Sequence, residues 1–78
     1  MQRVSLTIQD GWPKGLEVEP YGLFFDLVGK ERVLLAIDDE NEAQELVEIF
    51  ATPNGNIYLY IESAVESIEI DGDRVYER

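Results

Sequence analysis

The apolar runs of this chain are of strand length, and turn-forming residues close nearly all of them. In "RVSLTI", residues 3–8, Val4, Leu6 and Ile8 alternate with Arg3, Ser5 and Thr7, the period-two pattern of a half-buried strand. "NIYLYIE", residues 56–62, sets Ile57, Leu59 and Ile61 against Tyr58 and Tyr60 in the same way. "SIEI" and "RVYE" flank Asp71-Gly72-Asp73 and read as a closing hairpin. "GLFFDLV" and "ERVLLAI" stand on either side of Gly29-Lys30 and read as another. Val33 to Ile37 is apolar throughout, as expected of a central strand covered on both faces. "QDGWPKG" reads as a loop, with Trp12 anchoring it to the core, and "LEVE" as a short extended piece ended by Pro20.

The stretch "IDDENEAQELVEIF" breaks this rhythm. From Asp39 to Ala51 the apolar residues Ala43, Leu46, Val47, Phe50 and Ala51 follow the i, i+3, i+4, i+7, i+8 stripe of an amphipathic helix. Asp38 or Asp39 supplies an N-cap, Asp39 with Glu42 resembles a capping box, and Pro53 with Gly55 stops the run. The rival is a strand "ELVEIFA" paired with "NIYLYIE" across Asn54-Gly55. That strand would put Leu46, Glu48 and Phe50 on one face and strand or bury the glutamate, so the helix is preferred. The expected architecture is an α+β fold: a small antiparallel sheet of about five or six strands with one amphipathic helix on a face, order βββαβββ. Residues 1–78 form one acidic domain in this reading.

Seventy-eight residues lie near the lower limit for a core that holds without help, and the absence of Cys excludes disulfides and thiolate metal sites. The absence of His as well removes the usual general base and the commonest transition-metal ligand. Ser5, Ser63 and Ser67 are the only serines, none sits in a nucleophile elbow, and no Gly-rich phosphate loop occurs. The expectation is a protein that is not an enzyme, with no cofactor and no metal. Asp71-Gly72-Asp73 is better explained as a turn than as a calcium loop. No secretory h-region and no span-length apolar run is visible, so the expected location is the cytoplasm of a bacterial or other host cell.

Charge carries the functional argument. Seventeen acids against six bases give −11, and between Arg32 and Arg74 there is no Lys or Arg at all. Residues 33–73 hold eleven acids, and the rest of the chain carries six acids and six bases. Such a field repels nucleic acid and anionic membranes and speeds encounter with a basic protein. It also serves solubility alone, the plainest explanation of any single Glu.

The expected partner surface is the outer face of the helix, with Glu42, Glu45, Glu48 and the off-stripe Ile49. Tyr58, Tyr60, Glu62, Glu66 and Glu69 complete it. An apolar anchor inside an acidic rim is the usual anatomy of a binding hot spot. Carboxylates in rows have spacings close to those of phosphates along a duplex, so they can meet Lys and Arg that otherwise hold nucleic acid. The expected partner is a basic nucleic-acid-handling enzyme or complex. Phage-encoded inhibitors of restriction or CRISPR machinery, and immunity proteins against nuclease toxins, are small acidic binders of this kind, an analogy of size and charge that no motif here extends. The alternative is a structural or accessory subunit, bound through an edge strand or the Tyr face, whose charge only keeps it soluble.

Overall fold

The computed structural model describes residues 1–9, 11–38 and 47–78. Among these residues eight strands run in chain order: β1 (Gln2–Thr7), β2 (Gly15–Glu19), β3 (Leu23–Asp26), β4 (Arg32–Ile37), β5 (Val47–Ala51), β6 (Asn56–Ile61), β7 (Val65–Ile70) and β8 (Asp73–Glu77). They form two four-stranded sheets, β1-β4-β7-β8 and β3-β2-β6-β5. Every pairing is antiparallel except β2 with β6, the two central strands of the second sheet. The expected α+β fold is therefore corrected to an all-β one, with no helix among the described residues.

Alternation along each strand decides which side chains go inward. Val33, Leu35, Ile37, Val65 and Ile68 from the first sheet join Leu16, Val18, Leu59 and Ile61 from the second in one core cluster, all at 0 or 1% exposure. Burying a side chain of this class stabilises by about 1.5–3 kcal/mol, which is how a chain without disulfides holds together. Val33–Ile37 is central in its sheet, as its composition implies, but only one of its faces lies in that core; Leu34 and Ala36 are half-buried on the other.

Two local expectations fail for long-range reasons. The proposed helix over 39–51 is overturned where it is described: Val47–Ala51 is strand β5, paired with β6 from Val47↔Ile61 to Ala51↔Ile57. The Asn54-Gly55 turn closes this hairpin, with Gly55 at φ 86° and its N–H bonded to the Thr52 carbonyl at 3.2 Å. The objection to the strand was that Glu48 would share a face with Phe50. It does, but that face points to solvent, so no carboxylate is buried. Residues 39–46, with Asp39, Glu42 and the remainder of the stripe, lie outside the described residues, while Asp38, the other candidate cap, gives its N–H to the Ala64 carbonyl at 2.9 Å.

The hairpin expected around Gly29-Lys30 is a crossing between sheets, since β3 pairs with β2 and β4 with β1. Gly29 and Lys30 have φ of 113° and 66°. The turn is held by the buried Glu31, whose carboxylate accepts the Val28 and Gly29 N–H groups at 2.7 and 2.6 Å. Those bonds, the one from Val28 foremost, outweigh desolvation and hold the Glu31 carboxyl below its ordinary pKa. The β7–β8 hairpin forms as expected, with Asp71 and Gly72 both at positive φ. Tyr21, in the β2–β3 turn, reaches across the sandwich: its hydroxyl donates to the Ser63 carbonyl at 2.7 Å and accepts the Val65 N–H at 3.0 Å.

Candidate docking face

The sheet β3-β2-β6-β5 shows its outer side to solvent, and register fixes what stands there. Because alternate residues share a face, the inward positions Leu16, Val18, Leu59 and Ile61 send Glu17, Glu19, Tyr58 and Tyr60 outward. Phe24 lies across from Glu17, and Phe50 across from Tyr58, so one row reads Phe24, Glu17, Tyr58, Phe50 over the four strands. The row beside it reads Glu19, Tyr60, Glu48. Carboxylates and aromatic rings thus stand side by side in both rows, with Tyr58 and Phe50 adjacent at one end of the first, and none of the four strands carries a Lys or Arg.

Packing holds these rings in place. Phe50 and Tyr58 meet edge to face, with centroids 5.8 Å apart and planes at 74°. Phe24 lies over Gly15: a Cβ built on that glycine would fall 2.7 Å from the Phe24 Cζ and 2.6 Å from the Asn56 Oδ1. Gly15 is therefore a close-approach position, and any larger residue displaces the ring. Phe24 and Phe50 remain 50% and 48% exposed, well beyond what burial in this fold would leave. Desolvation first, then Glu19, the Tyr60 hydroxyl and Glu17, push the Tyr58 phenol above its ordinary pKa, as a negative local field requires.

The opposite sheet is different in kind. Arg78 pairs with Glu66 at 3.0 Å, and Arg74 lies 3.9 Å from Glu69 and 3.7 Å from Glu77. Its strands carry Arg3, Arg32 and Arg74 beside Glu66, Glu69, Asp73 and Glu77, so its charge is nearly balanced locally.

The residues expected at the partner surface are distributed over these features. Glu48, Tyr58 and Tyr60 are neighbours on the outer side of β3-β2-β6-β5. Ile49 is on the same strand but points to the core side opposite Leu59, and is 54% exposed because β5 ends the sheet order. Glu62 is exposed just beyond β6, whereas Glu66 and Glu69 belong to the other sheet and its ion pairs. Glu42 and Glu45 lie outside the described residues. Glu17, Glu19, Phe24 and Phe50 were not expected here. The alternation of "LEVE" carries a signal for the two glutamates, whereas the helical stripe places Phe50 inward.

Among the described residues no cluster of His, Cys, Asp or Glu is arranged to hold a metal ion, and no helix is long and apolar enough to cross a membrane. No protein-family model, no curated protein and no solved structure matches this chain.

Proposed function

We propose that this chain is a non-catalytic binding module that lays the outer face of β3-β2-β6-β5 on a basic protein surface, one that otherwise holds nucleic acid. In that role it is an inhibitor of a nucleic-acid-handling protein. The observation that carries the reading is the paired rows of aromatic rings and carboxylates on a face whose strands contain no base. Exposed rings supply area that gains by leaving water, and the carboxylates select a cationic surface and accelerate encounter. The balanced charge of the opposite sheet supports the same choice of face.

The test is capture of partners from nuclease-treated lysate of the source cell at about 50 and 300 mM salt, where the screening length changes by more than twofold. The protein is compared with a Glu17→Gln, Glu19→Gln, Glu48→Gln variant. A basic nucleic-acid-handling protein held at low salt, weakened at high salt and lost from the variant is the expected result. A partner retained equally by both proteins at both salts refutes the proposal. That outcome favours the accessory-subunit reading, for which the half-exposed Ile49 and Phe50 on the terminal strand β5 are the supporting observation.

A further inference from the structure

Within the docking face, Glu48, Phe50, Thr52, Tyr58 and Tyr60 line a shallow groove of ≈ 500 Å³ whose walls are mainly carbon. The edge-to-face contact of Phe50 with Tyr58 holds two rings of this lining at 74° to each other. Tyr60 stands between Glu19 on β2 and Glu48 on β5. Adjacent strands are about 4.8 Å apart, so the backbones bearing these two carboxylates flank the ring at a separation of about 9–10 Å. Neither Glu17 nor Glu19 makes an ion pair among the described residues.

The guest must suit both the rings and the acids. A neutral apolar side chain would cover the rings and desolvate the carboxylates without compensation. An ammonium is a compact, strongly hydrated charge that gives up water reluctantly to lie on an aromatic surface. A guanidinium is flat, weakly hydrated, stacks on aromatic faces and donates hydrogen bonds from opposite edges. We infer that the groove over Tyr58 and Tyr60 receives an arginine side chain of the protein partner, its guanidinium on the rings between Glu19 and Glu48. The inference rests on the docking reading above and names the group that reading leaves open.

The probe is a blocked Gly-Arg-Gly peptide, titrated into the protein and followed by the NMR signals of Phe50, Tyr58 and Tyr60. A Gly-Lys-Gly peptide of equal charge and a Tyr60→Leu variant, whose fold is checked by amide dispersion, run beside it. Saturable shifts with Kd on the order of 1–10 mM are expected. The lysine peptide should bind about threefold or more weakly, and the variant about tenfold more weakly. Shifts that do not saturate, equal binding of the two peptides, or shifts centred on Asp38 and Glu62 overturn the arginine groove. Absent peptide binding with partner capture still lost from the triple glutamine variant removes the groove and leaves the docking face standing. Absent peptide binding with capture unaffected removes both.

Discussion

Tyr21→Phe tests how the two sheets are tied together. The Tyr21 hydroxyl is the sole group removed, and with it go the 2.7 Å bond to the Ser63 carbonyl and the 3.0 Å bond from the Val65 N–H. Ser63 and Val65 are 2% and 0% exposed, so their backbone groups have little access to water once the hydroxyl is gone. A hydrogen bond contributes about 0.5–1.5 kcal/mol net, and a buried group left unpaired costs about 1–3 kcal/mol. With two such groups affected and partial relaxation, the loss comes to about 2–3 kcal/mol. For a domain of this size each kcal/mol moves Tm by about 4–8 °C, so the expected fall is about 10–20 °C. Thermal and urea unfolding followed by circular dichroism measure it, with Tyr60→Phe as a control on the outward face. Hydrogen exchange of the Val65 amide should accelerate more than that of Leu35, which lies deep in the first sheet. A fall under about 3 °C, or one matched by the control, would refute the assignment of Tyr21 as the tie between sheets.

Gly15→Ala should leave the chain folded but drive the Phe24 ring off the face, because the added Cβ would lie 2.7 Å from it. NMR contacts between Phe24 and residue 15 would vanish and stability fall by about 1–3 kcal/mol, as for other overpacked sites; an unmoved ring contradicts this. Glu31→Gln tests the turn between sheets through pH. The Glu31 pKa is depressed below its ordinary 4.5 in the folded protein, so its contribution is complete above that value and lost as pH falls through the folded value. The variant should be less stable at pH 7, with the gap narrowing on acidification below 4.5 and the two curves compared directly, since relief of charge repulsion affects both. A gap independent of pH counts against the two N–H bonds as its origin. Finally, the glutamine triple variant at positions 17, 19 and 48 should keep its Tm within about 12 °C, because each of these half-buried carboxylates on the solvent side of the sheet contributes about 0.5 kcal/mol or less; a collapse in stability would make these acids structural.

How much of the candidate site was legible depends on the range of the information each residue carries. Tyr58 and Tyr60 were readable as one face of a strand because alternation is a property of neighbours two apart. Glu48 was singled out, but on a helix. Its stretch fits a helical stripe better than a strand with one apolar face, and the deciding fact, that β5 ends its sheet with one side in water, belongs to the assembled sheet. Phe50 was misplaced for the same reason. Glu17 and Glu19 passed unnoticed because four residues of "LEVE" give no hint that they form a central strand paired in parallel with β6.

The sequence by itself determined the strands β1, β6, β7 and β8, the turn at Asp71-Gly72, and the lack of His and Cys chemistry. These follow from side-chain alternation, from glycine's tolerance of positive φ, and from composition, all local properties. Only the tertiary structure decided that Gly29-Lys30 crosses between sheets instead of closing a hairpin. It alone separated Glu66 and Glu69, neutralised by arginines, from Glu17 and Glu19 beside the aromatic rings. Strand pairing joins residues remote in the chain through backbone hydrogen bonds that every residue type can make, so side-chain identity marks a strand without naming its neighbour.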